Sequence, residues 1–315
     1  MQYRRLGGSG LKVSEISLGS WLTYGGYVEK QRAVQTIQLA LDSGITFFDT
    51  ANIYMRGEAE KVVGEALAGY RRDSYVLATK VWGPMGDGPN DRGLSRKHMI
   101  EQCNASLKRL GLDYIDLYYC HSPDATTPLE ETLRAMDDLI RQGKVLYAGV
   151  SNWTAAMMTE AVHIADRKLL DRIVASQPPY SLLRRDIEKE IIPVGLKYGI
   201  GQVVYSPLAQ GVLSGKYKPA TDVPQDSRAA DERGKQSIQR YLTEPNLDKV
   251  EQLRGIAEQL GLTLPQLALA WVLRQPNVSS AIIGASRPEQ VTENVKASGI
   301  VIPDDALTAI DGVLQ

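Results

Sequence analysis

Asp49, Tyr54, Lys80 and His121 are the residues of this 315-residue chain whose types and spacing can do chemistry. The stretch from Gly44 to Tyr54 is an apolar, β-prone run that ends on a carboxylate, with a phenol close behind it. Val-Leu-Ala-Thr-Lys ends on Lys80, and Ile-Asp-Leu-Tyr-Tyr-Cys-His ends on His121. Three successive strand-like segments thus each deliver one ionisable or polar group at the same end, and in a parallel sheet neighbouring strand ends lie about 5 Å apart. A carboxylate at the end of a buried strand is costly unless a cation meets it, and Lys80 is the candidate. The chemistry that fits is proton delivery to a carbonyl oxygen while hydride arrives at its carbon. A free phenol, with a pKa near ~10, is a reluctant acid at neutral pH. An ammonium about 4 Å away, at an effective dielectric near 20, favours the phenolate by about 4 kcal/mol, so Lys80 is expected to lower the Tyr54 pKa. Asp49 would hold the charge on the lysine, and His121 would donate to the carbonyl oxygen and orient it.

Each residue alone has a structural alternative. Asp49 can cap the turn in Asp-Thr-Ala-Asn with Lys80 as its buried ion-pair partner, His121 before Ser122-Pro123 can be a loop histidine bonded to backbone, and Tyr54 can be wall. Only the four together make a coherent acid catalyst. A Schiff-base lysine is a further option, opposed by an adjacent Asp49 that would keep Lys80 protonated and unreactive.

The elements that must position these groups alternate regularly. Residues 3–14 read as a hairpin around Gly7-Gly8-Ser9-Gly10, and strands are expected at 16–19, 47–49, 76–80, 115–120, 145–151, 173–177, 202–205 and 280–283. Helical patterns occupy 30–43, 58–68, a segment opened by Ser95, 154–167, 187–198, 247–260, 265–274 and 303–314. The helix after residue 120 has Thr127 as expected N-cap, Pro128 in the first turn and Glu130 closing a capping box. A second box is expected at Ser286-Arg-Pro-Glu289, and the longest irregular stretch runs to about residue 245. Eight strand–helix units fit a closed (β/α)8 barrel or a doubly wound open sheet. No Gly-x-Gly-x-x-Gly follows any strand, so a Rossmann cofactor site has no support. The expected fold is α/β, a (β/α)8 TIM barrel forming one domain over 1–315, with an N-terminal β-hairpin and extra C-terminal helices. In such barrels the chemistry sits at the carboxyl ends of the strands, where the four residues lie.

A composition of 43% hydrophobic and 23% charged residues with net charge −1 argues against a nucleic-acid surface driven by counterion release. No apolar run approaches the roughly 20 residues a membrane span needs, and the first residues lack a secretory apolar core, so no membrane partner and a cytoplasmic location are expected. Cys103 and Cys120 have no neighbour resembling a metal or redox motif, so both read as core fillers and no metal is expected.

The sequence resembles the aldo-keto reductases over nearly its whole length. The likeness is carried by Phe-Asp-Thr-Ala with Tyr54, Thr-Lys at 79–80, His121, Gly-Val-Ser-Asn at 149–152, Gln177, Tyr-Ser-Pro-Leu at 205–208 and Gly-Ala-Ser-Arg-Pro-Glu-Gln at 284–290. Through Arg-Gly-Leu-Ser-Arg-Lys-His at 92–98 and Leu-Pro-Gln-Leu-Ala at 264–268 it is most similar to the branch of potassium-channel β subunits and their bacterial relatives. The resemblance implies a barrel that binds NADP(H) extended across the strand ends and reduces aldehydes or ketones, with Asp49, Tyr54, Lys80 and His121 as its tetrad. It also implies a distribution of cofactor contacts. Ser20, Trp21 and Asp49 would lie near the nicotinamide, Ser151, Asn152 and Gln177 would hold the carboxamide, and Tyr205 would stack on the ring. Ser206, Pro207, Leu208, Ala209, Gln210 and Lys216 would follow the pyrophosphate, and Gly284, Ser286, Gln290, Glu293 and Asn294 the adenosine. Arg228 and Arg287 are the candidates for the 2′-phosphate. Ser286 can cap its helix as well as donate to a phosphate. Trp21, Tyr24, Met55, Trp82 and the loop 83–93 would shape the substrate pocket, with rim packing as the alternative for each. The channel subunits carry asparagine at the position of His121, so this chain looks more like a working reductase, while a cofactor-binding regulatory subunit remains the rival reading. Relatives of this kind occur as monomers and as rings, so a homo-oligomer is compatible with the resemblance.

Overall fold

The computed structural model describes residues 1–217 and 232–315. Two short strands, β1 (Tyr3–Arg5) and β2 (Lys12–Ser14), pair antiparallel. Eight parallel strands then follow in chain order: β3 (Ile16–Gly19), β4 (Phe47–Asp49), β5 (Val76–Val81), β6 (Ile115–Cys120), β7 (Val145–Ser151), β8 (Ile173–Gln177), β9 (Gly201–Tyr205) and β10 (Val278–Gly284). Each pairs with the next and β10 pairs with β3, so the sheet closes into a barrel. Closure leaves no edge strand, which is why near-continuous apolar strands can be buried on both faces. Inside the barrel, Phe47, Ala78, Leu117, Tyr119, Ala175, Val203 and Ile282 form one cluster with Leu6 and Val13 of the hairpin.

The helices outside are α1 (Lys30–Asp42), α2 (Glu58–Leu67), α3 (Arg96–Leu110), α4 (Leu129–Arg141), α5 (Ala155–Lys168) and α6 (Ile191–Tyr198). After β9 come α7 (Glu232–Ile238), α8 (Glu244–Gln259) and α9 (Leu264–Leu273), and after β10 come α10 (Pro288–Asn294) and α11 (Asp304–Leu314). Ser95 caps α3 and Thr154 caps α5, each side chain accepting from a backbone N–H three residues on, as expected of N-caps. The hairpin seals the amino end of the barrel, opposite the site. There Arg4 Nη1 donates to the carbonyls of Leu273 and Val278, and Gly7, at φ 56°, packs against Gly199 and Gly201 so closely that a Cβ would sit 2.3 Å from the Gly199 oxygen.

Four local expectations are corrected. Thr127 is not an N-cap: its hydroxyl donates to Asp124, and α4 starts after the extended Pro128. The helix expected at 187–198 is a 3₁₀ turn at Asp186–Glu188 followed by α6. The stretch to residue 245 contains α7, and α8 starts at Glu244 because Pro245 sits in its first turn, where a missing N–H costs nothing. At α10 it is Gln290, not Glu289, whose side chain reaches back, its Oε1 accepting from the N–H groups of Ser286 and Arg287.

Candidate active site

At the carboxyl end of the barrel a cavity of about 1430 Å³ runs from the ends of β3 and β4 across β7, β8 and β9 to α10. Asp49, the last residue of β4, lines it, and Lys80, next to last in the adjacent strand β5, lies buried directly behind. Alternation along β5 turns Lys80 inward and Thr79 outward. Lys80 Nζ donates to Asp49 Oδ1 and to the Thr50 carbonyl (2.7 Å), and Gln177 Nε2 donates to the other Asp49 oxygen (2.8 Å). From this clamp Nζ lies 3.4 Å from the Tyr54 hydroxyl, and His121 Nε2 lies 3.5 Å from the same oxygen. Lys80 and His121, from separate segments, therefore converge on the Tyr54 phenolic oxygen, with Asp49 bonded to Lys80.

Their electrostatics differ from the sequence expectation in one respect. Burial, reinforced by the Asp49 carboxylate and by Tyr205, holds the Tyr54 phenol well above its ordinary pKa. The expected lowering by Lys80 does not dominate, because an ammonium locked to a carboxylate presents the phenol with a dipole rather than a lone charge. Burial pulls Lys80 down while Asp49 and Glu60 oppose it. His121 is pushed down to about 3 by burial and by the Lys80 ammonium, so its imidazole is neutral near pH 7. Lys80 is fully buried and off the cavity wall, an arrangement that opposes a Schiff-base role for its amine.

Further along the cavity, hydroxyl and amide groups bond to one another and to backbone carbonyls. Ser151 Oγ donates to the Gln177 carbonyl (2.9 Å), Asn152 Nδ2 donates to the His121 carbonyl (3.2 Å), and the Tyr205 hydroxyl donates to Asn152 Oδ1 (2.9 Å). Gln210 Nε2 donates to Ser206 Oγ. The wall continues through Pro207, Leu208 and Lys216 to Gly284, Ser286, Arg287, Gln290, Glu293 and Asn294. Backbone strain follows the same path. Of the described non-glycine residues at positive φ, all but Leu169 lie on the cavity or beside a wall residue: Leu22, Met55, Arg56, Asn152, Ser206, Ala209 and Gln210. Left-handed backbone at ordinary side chains costs of order 1–3 kcal/mol each and persists where it serves a site.

Some expectations are not met. Tyr24 is 1% exposed and donates to the Ala285 carbonyl behind the wall, and Trp82 packs against the core cluster containing Leu94 and Met99, so neither lines the cavity. The loop 83–93 is also off the wall, folded on Asp91, whose Oδ2 accepts from Gly88 N and whose carbonyl accepts from Met85 N. Trp21 and Met55 do line it. Ser20 is buried beside Trp21 and donates to Thr50, and Ala209 is buried in a 3₁₀ turn, Ala209–Ser214, so both support the wall from behind. Arg228 lies outside the described residues. Leu22, Ile53, Arg240, Pro265 and Ile283 line the cavity without having been singled out. Ile53 sits inside the Asp49–Tyr54 motif and was legible there; Arg240 comes from a stretch whose helical content the sequence pattern did not reveal. Cys103 and Cys120 are buried, with thiols pushed up to about 12 by burial, which makes them inert fillers.

The residues present fit an extended dinucleotide: a cavity of about 1430 Å³, an amide and hydroxyl cluster beside the tetrad, and the cations Lys216, Arg240 and Arg287 on the same wall. Comparison with known proteins bears on the family. The aldo/keto reductase family model matches residues 15–315. The chain is 46% identical over 321 residues to a probable voltage-gated potassium channel subunit beta of Arabidopsis thaliana, covering 100% of this chain and 97% of that protein. A counterpart of the same description from Oryza sativa subsp. japonica is 45% identical with the same coverage. A putative voltage-gated potassium channel subunit beta of Schizosaccharomyces pombe is 46% identical over 323 residues, 99% of this chain and 93% of that protein. A closed eight-stranded barrel, four ionisable groups meeting at its carboxyl end and a match spanning almost the full length lead to one assignment: the chain belongs to the aldo/keto reductase family.

Proposed function

We propose that the protein reduces aldehydes or ketones to alcohols with NADPH, with Tyr54 as general acid. The observation that carries this reading is the convergence of Lys80 Nζ and His121 Nε2 on the Tyr54 hydroxyl at the cavity wall. NADPH, when bound, supplies the hydride. Tyr54 holds the proton that the carbonyl oxygen needs as charge develops on it. A phenol held above its ordinary value stays protonated at neutral pH, and it remains a competent donor because the alkoxide that takes the proton is a far stronger base than a phenolate. Lys80 stabilises the phenolate left behind, and Asp49 keeps the ammonium charged and aimed. Neutral His121, in the tautomer that carries the proton on Nε2, donates to the carbonyl oxygen and orients it. Ser151, Asn152 and Gln177 would hold the carboxamide, Tyr205 the ring face, and the wall from Ser206 to Lys216 the pyrophosphate. Apolar Met55, Ile53 and Trp21 around the tetrad favour small or aromatic carbonyls.

A regulatory subunit that binds the cofactor with incidental turnover is the second reading, favoured by the names of the relatives. NADPH oxidation against an aldehyde panel separates the two: turnover by the wild type that collapses in Tyr54→Phe supports the reductase, and NADPH binding without turnover of any carbonyl supports the regulatory subunit. Among the described residues no single helix is long and apolar enough to cross a membrane.

A further inference from the structure

Glu60 is a carboxylate with no exposed side-chain surface, on a helix outside the barrel, and the proton-transfer chemistry above does not use it. A buried charge of this kind is retained only with good partners. It has two. Thr79 donates from Oγ1 to Glu60 Oε1 at 2.5 Å, and Arg109 of α3 donates from Nε to Oε2 at 2.6 Å. Thr79 precedes Lys80 on β5, so the bond grips the strand from its outer face one residue from the catalytic ammonium. Arg109 does more than neutralise Glu60. Its side chain lies on Gly57, where a Cβ would stand 2.6 Å from Arg109 Cδ. Gly57 ends the turn that begins at Tyr54 and passes through Met55, Arg56 and Gly57 at φ 49°, 53° and 94°. Three consecutive left-handed residues need such a support. The helices are held at the right separation by Gly64, whose Cβ would be 2.3 Å from the Leu110 oxygen.

We propose that the buried Arg109–Glu60–Thr79 bridge is a positioning device for the proton donor: it clamps β5 behind Lys80 and seats the left-handed turn of Tyr54 on the same arginine, which sets the two side chains against each other. Glu60 also acts through its field. The groups facing Lys80 are Asp49 from β4, Tyr54 from the turn, Tyr119 and His121 from β6 and its end, and Glu60 from α2. Those facing Glu60 besides Arg109 are Cys103 and Tyr118. Glu60 is the second carboxylate that keeps the ammonium charged.

The proposal rests on the reductase reading for its effect on rate, so one measurement is chosen that needs no turnover. Lysine labelled with ¹³C at Cε, with the Lys80 signal assigned through Lys80→Met, is titrated in the wild type and in Glu60→Gln. The expected result is a Lys80 titration about half a pH unit or more lower in Glu60→Gln, because a carboxylate favours a neighbouring ammonium. In NADPH-dependent reduction, kcat of Glu60→Gln and of Thr79→Val should fall about ten-fold or more, with NADPH affinity within about two-fold of wild type, since small misplacements of reacting groups are expensive. If Glu60→Gln does not fold, Glu60→Gln/Arg109→Met removes both charges of the pair and takes its place. A Lys80 titration that stays put, or an unchanged kcat in Thr79→Val and Glu60→Gln, overturns the proposal. A Lys80 shift in a protein that reduces no carbonyl supports the bridge and overturns the reductase reading instead.

Discussion

Tyr54 shows how far a local charge argument reaches at the scale of a residue. An isolated ammonium beside a phenol lowers its pKa, but here the ammonium is half of an ion pair and the phenol is buried, and burial wins. Tyr54→Phe should retain NADPH affinity within a few-fold while carbonyl reduction drops by ~10² to 10⁴, the usual worth of a positioned proton donor. Near-normal turnover of that variant would remove Tyr54 from the mechanism. His121 gives a pH prediction with a definite sign. Its pKa of about 3 in the folded chain lies below the ordinary histidine value, so between those limits the unfolded chain binds more protons. Folding stability from this residue is therefore complete above the unfolded value and declines as pH falls toward about 3. Between pH 7 and ~4.5, His121→Asn should lose about 2–3 kcal/mol less than wild type in urea titrations. Parallel losses in the two proteins would mean that His121 is more accessible to protons than its burial implies.

Among the elements, α2 and α3 illustrate a packing constraint that outweighs propensity. Alanine in place of a mid-helix glycine ordinarily gains up to about 1 kcal/mol. Gly64→Ala should nevertheless destabilise the protein, because its methyl group would overlap the Leu110 backbone oxygen at 2.3 Å, and forced separations of packed elements cost about 1–3 kcal/mol. A thermal melt showing Gly64→Ala at or above the wild-type Tm would contradict the close approach of the two helices. The same variant should lower kcat more than NADPH affinity, since it parts Glu60 from Arg109. Local signals explain most element boundaries: Ser95 and Thr154 cap as their types suggest. Thr127 fails because its hydroxyl donates to Asp124, three residues upstream of the motif, and Asp124 is itself held there by Thr126 and by Leu94 N, thirty residues away, which the motif does not include.

For the molecule as a whole, the cleft is assembled from segments nearly the length of the chain apart, and its wall includes the cations Arg240 and Arg287 as well as Lys216. A 2′-phosphate carries close to two negative charges. A charge-assisted contact contributes roughly 1.5 to 3 kcal/mol, so Arg287→Ala and Arg228→Ala should each weaken NADPH about ten- to a hundred-fold and leave NADH nearly unchanged. Titration of both cofactors against each protein checks this. Equal losses for NADH and NADPH would assign the arginine to shaping the wall, and a wild-type preference for NADH would overturn the choice of cofactor.

The barrel was legible in the sequence because its signal is local and repeated: each strand ends in a short apolar run and each helix carries an apolar face, so eight units could be counted and matched to the closed sheet. The grouping of Asp49, Lys80 and His121 was legible because each stands at or next to such a strand end, and strand ends are brought together by any parallel closure. What only the tertiary structure decided are the properties that depend on what lies behind a residue. It placed Tyr24 and Trp82 off the wall, brought Arg240 onto it, reversed the expected balance on the Tyr54 phenol and joined Glu60 to Thr79 and Arg109 across the outer face of β5. Side-chain direction, burial and pairing between distant segments are set by the packing of whole elements, and no periodicity within a single segment encodes them.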